Sequence, residues 1–127
     1  MRLSGKKIAI LVADGVEDLE YFVPLMRLEE EGAEVISAAA DVDTVRGKNG
    51  LDIQPSARID ALHARDLFAL VIPGGWAPDK LRRSVHVTDL VREMDMAGKP
   101  VGIICHGGLV AISAGIVRGR HVTGSLG

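Results

Sequence analysis

The one cysteine of this 127-residue chain, Cys105, stands where a cysteine side chain could do chemistry. It ends the apolar run Val101–Ile104 and is followed by His106, Gly107 and Gly108, after which a helical pattern begins. A strand, a sharp turn and a helix N-terminus in this order expose the turn side chain and direct free N–H groups and the positive helix end towards it. Such a position favours the thiolate, which is the nucleophilic form of cysteine.

Neighbouring groups could complete this nucleophile. An imidazole nitrogen of His106 near the sulfur would take the thiol proton, although adjacent side chains usually diverge and the histidine could instead cap the next helix. Carboxylates come from the segment Asp14–Glu20, called here the acidic loop, in which Glu17 and Glu20 are three residues apart and share a face. A carboxyl beside the thiolate could stay protonated and donate a hydrogen bond to the sulfur.

Two other features near the same edge allow a structural and a functional interpretation. Gly74 and Gly75 follow a strand pattern, so they predict either a simple turn or backbone N–H groups that form an oxyanion hole. Asp18 is expected to act as an N-cap and dipole partner of the first helix. Trp76, the only tryptophan, could line a pocket or an interface.

Composition narrows the class of protein. The chain is 47% hydrophobic and 25% charged with a net charge of −2, which predicts a globular domain and gives no reason to expect nucleic acid or an anionic membrane as partner. A single cysteine cannot form an internal disulfide, and neither a signal peptide nor an apolar run of ~18 residues occurs, so the cytoplasm is the expected compartment. No nucleotide-binding glycine pattern or metal-ligand spacing is present, and we expect no cofactor and no metal.

Apolar runs predict the strands that carry these residues. Lys7–Ala13 is typical of a strand buried on both faces. A second strand is predicted at Glu34–Ala39 and a third, buried strand at Asp66–Ile72, and the Val101–Ile104 run leads to the cysteine. Weaker strand signals occur at Val117 and Val122.

Helices and a hairpin fill the intervals between these strands. A helical stripe from Leu19 ends at Gly32, with Pro24 expected near its first turn, and a short helix near Pro78 precedes a longer one over about residues 85–97. The pair Asn49-Gly50 predicts a small hairpin. Alternating strands and helices predict a parallel α/β sheet. Three loops, Asp14–Glu20, Pro73–Asp79 and Cys105–Gly108, are expected to meet at the carboxyl ends of its strands.

Three segments together resemble the PfpI intracellular-protease family of the ThiJ/PfpI superfamily. They are Ile10–Glu20, Val71–Asp79 and Gly98–Gly107, with the elbow I-I-C-H-G and the triplet P-G-G in the family's order and spacing. The resemblance covers essentially the whole chain. It implies a flavodoxin-like three-layer α/β sandwich related to class I glutamine amidotransferases, with a mostly parallel central sheet and a small β-hairpin.

The resemblance also implies roles for individual residues. Cys105 would be the nucleophile, His106 its partner, Glu20 the carboxyl that hydrogen-bonds the cysteine, and Glu17 a neighbouring acidic position. The backbone N–H groups of Gly75 and His106 would form the oxyanion hole.

Family members commonly form dimers or hexamers, and in some a glutamate from a neighbouring subunit completes the triad. The matching position here is Asp79. The resemblance therefore implies that this chain assembles into a homo-oligomer.

The chain departs from the family pattern in two places and in length. Gly108 stands where the family usually has proline, and the segment Thr123–Gly127 lacks the usual aromatic residue and proline. Because the family normally continues with further strands and a helix, we interpret residues 1–127 as a single ThiJ/PfpI-like domain that is incomplete at its C-terminal end. An apolar sheet face left bare there would favour association or unfolding.

Together with the reactive position of Cys105, the resemblance implies a cysteine-dependent, stress-protective enzyme. Cys105 would attack the carbonyl carbon of a small reactive carbonyl or of its adduct on a protein amine, as a deglycase or glutathione-independent glyoxalase does. One alternative is an intracellular cysteine peptidase that acts on peptides. Another is a non-enzymatic redox sensor or holdase, in which Cys105 oxidises to a sulfinic acid.

Overall fold

The computed structural model describes residues 1–125 and places a five-stranded parallel sheet at the centre of the chain. Its spatial order is β5 (Ala57–Arg58), β2 (Glu34–Ala39), β1 (Lys7–Leu11), β6 (Ala69–Ile72) and β7 (Val101–Ile103). Residues 126 and 127, the end of the segment Thr123–Gly127, lie outside the described residues.

Four α-helices connect or follow these strands: α1 (Asp18–Glu30), α2 (Ala77–Leu81), α3 (Val85–Met96) and α4 (Gly108–Ala114). The connection through α1 leads from β1 to one side of the sheet, and the connection through α2 and α3 leads from β6 to the other. Because such crossovers are right-handed, opposite directions put the helices on opposite faces. The result is the predicted three-layer α/β arrangement, in which α1 packs on β2 and α3 packs on β6 and β7.

The core is aliphatic and surrounds the middle of the sheet. Tight burial of branched side chains on both sheet faces excludes water from the backbone hydrogen bonds and fixes the strand ends that carry the loops. Its largest fully buried side chains are those of Ile8, Ile10, Leu11, Val12, Val16, Ile53, Leu70, Ile72, Val87, Val91, Met94 and Val110.

The hairpin predicted around Asn49-Gly50 is confirmed. Its strands are β3 (Val45–Arg46) and β4 (Asp52–Ile53), which pair antiparallel outside the main sheet with Val45 opposite Ile53. We call residues 45–53 the hairpin. It packs beside the acidic loop, because Gly15 N donates to Arg46 O at 2.9 Å and Lys48 N donates to Val16 O at 2.8 Å.

Several predicted boundaries differ from the structure. β6 begins at Ala69 rather than at Asp66, because residues 64–66 form a 3₁₀ turn. α1 begins at Asp18, so Pro24 lies inside the helix and not in its first turn. The weak strand signals at Val117 and Val122 do not correspond to strands within residues 1–125.

β7 forms one side of the sheet within residues 1–125 and pairs only with β6 there. Gly102 and Ile103 are exposed, and a cavity of about 430 Å³ lies beside them. Its walls are mostly apolar, as expected for an uncovered sheet face, and include Val101, Ile103, Cys105, Leu109, Ile112, Val117 and Val122. No helix within the described part of the chain is long and apolar enough to cross a bilayer.

Candidate active site

Cys105 lies on the turn between β7 and α4, as the sequence predicts. Residues 105–107 form a 3₁₀ turn that joins the strand to the helix, and Ile104 N donates to Ile72 O at 3.1 Å. Cys105 has a φ of 54°, the only positive φ of a non-glycine residue within residues 1–125. This left-handed conformation costs an L-residue about 1–2 kcal/mol and marks a turn that the surrounding structure imposes.

The turn brings the thiol and the adjacent imidazole together. Cys105 Sγ lies 3.3 Å from His106 Nδ1, a distance at which one group can donate a hydrogen bond to the other. Side chains of neighbouring residues usually point apart, and the strained backbone at Cys105 accompanies this exception. Both residues are half-buried, so the pair can exchange a proton and still meet a substrate.

Glu20 reaches the same turn from α1. Its Oε1 accepts a hydrogen bond from Gly74 N at 2.8 Å. Gly74 itself leaves no room for a side chain, since a Cβ there would lie 2.5 Å from Glu20 Oε1, 2.9 Å from Cys105 Cβ and 3.1 Å from His106 N. The glycine therefore lets a carboxyl, the nucleophile's turn and a backbone amide converge at one point.

The glycine loop, residues 73–76, joins the acidic loop through its backbone. Glu17 N donates to Gly74 O at 3.1 Å, and Trp76 N donates to Gly15 O at 2.8 Å, so that Gly75 lies between two hydrogen-bonded residues. The Gly74 N–H is already bound by Glu20, whereas the Gly75 N–H donates to no group within residues 1–125. Of these two amides, Gly75 is the one with a donor left for a ligand.

The backbone of Glu17 binds the glycine loop, but its side chain contacts the hairpin. It is the N-cap of α1, where its Oε1 accepts from Leu19 N at 3.1 Å and from Asn49 Nδ2 at 3.2 Å. Glu17 and Glu20 therefore bind different segments, Glu17 the hairpin and Glu20 the glycine loop. The cap predicted at Asp18 is supplied by Glu17 instead.

Asp18 has contacts that local sequence reasoning missed. It is 2% exposed, and its carboxylate accepts hydrogen bonds from Asn49 N and Leu51 N, both at 2.9 Å. Burial pushes the pKa of Asp18 upward, but the backbone N–H groups of Asn49, Leu51 and Asp18 itself outweigh burial and hold the pKa below its ordinary value. The sequence contains one signal for these contacts. Glu17 can cap the helix, so Asp18 is an additional acidic residue at the helix start that capping does not require.

Asp79 and Trp76 lie on the outside of the described chain. The Asp79 carboxylate is exposed and pairs with Arg83 one helical turn later, at 2.8 Å. Trp76 is 63% exposed, and the Lys48 ammonium lies 5.4 Å from its ring centroid. Within residues 1–125, no three or more His, Cys, Asp or Glu side chains are grouped so that they could hold a metal ion.

Comparisons with known proteins agree with this arrangement. The model of the DJ-1/PfpI family matches residues 6–127. The chain is 40% identical over 117 residues to Deglycase PH1704 of Pyrococcus horikoshii, covering 92% of this chain and 70% of that protein. It is 38% identical over 121 residues to the Putative cysteine protease YraA of Bacillus subtilis, covering 94% of this chain and 70% of that protein.

A solved structure extends the likeness to the backbone. A two-domain protein of Anabaena variabilis, with DJ-1/ThiJ/PfpI-like and ferritin-like domains, superposes with a TM-score of 0.92 at 38% identity. The match covers 94% of this chain and 35% of that protein. With the fold, the strained cysteine turn and these similarities together, the chain belongs to the DJ-1/PfpI family.

Proposed function

We propose that this chain is a cysteine-dependent enzyme that acts on reactive carbonyls or their adducts on protein amines. The observation that carries the proposal is the Cys105 sulfur 3.3 Å from His106 Nδ1 on a strained strand-to-helix turn. A relative at 40% identity is named a deglycase, which supports this substrate class. The free thiol suits a reducing compartment such as the cytoplasm.

The first step is attack of the thiolate on an aldehyde carbon. His106 takes the thiol proton, sulfur forms a bond to the carbon, and the carbonyl π electrons move to oxygen. The resulting hemithioacetal oxyanion accepts hydrogen bonds from the N–H groups of Gly75 and His106. Donors fixed in advance are worth most where charge develops, so these amides lower the barrier rather than tighten ground-state binding.

Glu20 supplies the proton transfer for a methylglyoxal-type substrate. Its carboxylate removes the proton from the former aldehyde carbon and returns it to the neighbouring carbonyl carbon. His106 gives the former thiol proton to the oxygen of that second carbon, which completes the conversion of the hemithioacetal to a hydroxyacyl thioester. Water then hydrolyses the thioester, releasing lactate and restoring the thiol. The sum is one methylglyoxal and one water to one lactate and one proton, so no oxidant or cofactor is consumed.

Turnover of methylglyoxal by the wild type and by Cys105→Ala tests the proposal. We expect lactate formation to fall at least about a thousandfold in Cys105→Ala and about a hundredfold or more in His106→Gln. His63→Gln is the matched control, because it makes the same change at an exposed histidine outside the proposed site. Full turnover by Cys105→Ala would exclude the scheme.

A cysteine peptidase is the second candidate, favoured by the relative named a putative cysteine protease. It uses the same thiol and oxyanion hole, and an orienting carboxylate from a neighbouring subunit would help to place the imidazole. Asp79 is exposed on α2 and is our proposal for that carboxylate in a dimer or hexamer. Cys105-dependent cleavage of an unglycated peptide, lost in Asp79→Asn without loss of the oligomer, would select this candidate over the first.

A further inference from the structure

The carboxylate of Asp18 is the one buried charged group in the described chain that the proposed chemistry leaves unused. It receives two backbone hydrogen bonds from the hairpin, which lies some thirty residues further along the chain. On the hairpin side, Gly47 packs so closely that a Cβ there would overlap the Asp18 carboxylate. The contact therefore joins two segments that no local sequence pattern connects.

The hairpin in turn holds the acidic loop. Gly15 N donates to Arg46 O and Lys48 N donates to Val16 O, so residues 46–48 pair with residues 15–16. The acidic loop pairs on its other side with the glycine loop, through the bonds from Glu17 N to Gly74 O and from Trp76 N to Gly15 O. Three short segments thus form one backbone ladder. Asp18 fastens its outer edge, and Gly74 at its inner edge borders Cys105.

We propose that Asp18 is a positioning residue for the reaction at Cys105, acting by fixing the hairpin so that the ladder holds the Gly75 amide in place. The inference rests on the proposed function. A carboxylate suits this role because both of its oxygens face N–H donors, which a neutral amide cannot match. Small displacements of an oxyanion donor reduce rates steeply, so a residue that never touches substrate can still affect kcat.

The first experiment compares Asp18→Asn with Asp52→Asn. Asp52 is the control, because its carboxylate is exposed on β4 of the same hairpin and pairs with Arg46. For methylglyoxal we expect Asp18→Asn to lower kcat about tenfold or more while KM stays within about twofold, since the amide acts mainly in the transition state. Asp52→Asn should change neither constant by more than about twofold. Normal kcat in a folded Asp18→Asn protein would overturn the inference.

A second variant perturbs the same contact from the hairpin side. Gly47→Ala displaces the Asp18 carboxylate and should lower kcat in the same direction. In an Asp18→Ala background the alanine at position 47 has no carboxylate to displace, so it should have no further effect. If Asp18→Asn does not fold, Gly47→Ala decides alone. Additive effects in the double variant would show that the two residues act separately and would overturn the inference.

Amide hydrogen exchange tests the positioning without any turnover. In Asp18→Asn, but not in Asp52→Asn, the N–H groups of Glu17 and Trp76 should exchange about tenfold faster, whereas Val12 N, bonded to Ala38 O in the core, should not change. Unchanged exchange at Glu17 and Trp76 would overturn the inference. The wild type and Cys105→Ala are assayed alongside, so that missing Cys105-dependent turnover is assigned to the proposed function and not to Asp18.

Discussion

The turns that follow β1 and β7 both contain a residue with left-handed backbone, but they place different residues there. After β1 it is Gly15, with a φ of 86°, and after β7 it is Cys105, with a φ of 54°. Glycine adopts this conformation without steric cost, whereas a residue with a Cβ does not. The β7 turn, whose cysteine we expect to react, therefore has a strained backbone. The β1 turn has none of this strain, because its left-handed residue is a glycine.

The two strands differ in the same sense. β1 lies between β2 and β6, and residues 9–11 have no exposed surface. β7 has one neighbour within residues 1–125, and its Ile103 is 37% exposed. The rigid centre of the sheet therefore anchors the acidic loop, while the nucleophile lies at the end of a strand with much less packing around it.

The largest expected effect concerns this difference in packing. Ile10→Ala should lower the free energy of unfolding by about 2–5 kcal/mol, because it opens a cavity in the centre of the core. Ile103→Ala makes the same change on β7 and should cost only about 1 kcal/mol. Urea denaturation of both variants measures the difference. Equal losses would show that β7 is as tightly packed as β1 in solution.

An alanine in the β1 turn should have the next largest effect. Gly15→Ala combines a left-handed residue with a Cβ that would lie 3.0 Å from Trp76 Cβ, so we expect a loss of about 2–3 kcal/mol in the free energy of unfolding.

Gly5→Ala is the matched control for that change. Gly5 has a φ of 77° but no neighbour within 4 Å of an added Cβ, so its alanine variant carries the backbone cost of about 1 kcal/mol alone. The same denaturation measurement gives the contribution of the Trp76 contact as the difference. Equal decreases in the free energy of unfolding at the two positions would show that an alanine Cβ at position 15 does not clash with Trp76.

Sequence alone predicted the elements that depend on local patterns. The sequence predicts β2 at Glu34–Ala39, and the structure has these bounds, because the segment is apolar except at Glu34 and Ser37 and has Gly32 before it and Asp41 after it. β5, at Ala57–Arg58, was not predicted, because a two-residue strand owes its existence to pairing with Ala38 and Ala39 and not to its own residues. The sequence also starts β6 too early, since the apolar residues Leu67 and Phe68 extend the strand pattern towards the 3₁₀ turn at residues 64–66, whereas the strand begins at Ala69.

The candidate site divides in the same way. The position of Cys105 on a strand-to-helix turn and a proton transfer to His106 follow from the residues around the cysteine. The assignment of Glu20 to the cysteine follows from the family resemblance, and both roles stay predictions. The bond from Gly74 N to Glu20 and the burial of Asp18 against the hairpin depend on contacts between distant segments. Residue spacing along the chain does not predict such contacts. Local sequence reasoning therefore predicts only helix capping for Asp18.

The smallest effect separates strain from packing in the β7 turn. Cys105→Gly and Cys105→Ala both remove the thiol, but only glycine removes the Cβ from a residue with a φ of 54°. We therefore expect Cys105→Gly to be the more stable of the two by about 1 kcal/mol, measured by urea denaturation.

The same pair of substitutions at Ser113, an exposed residue of α4, is the control and should give the opposite sign, because alanine exceeds glycine by about 1 kcal/mol in a helix. A reversal of sign between the two positions would tie the difference at Cys105 to its backbone and not to a general effect of glycine. If alanine were the more stable replacement at position 105 as well, the turn would be unstrained in solution. The contrast between the β1 and β7 turns would then lose its energetic basis.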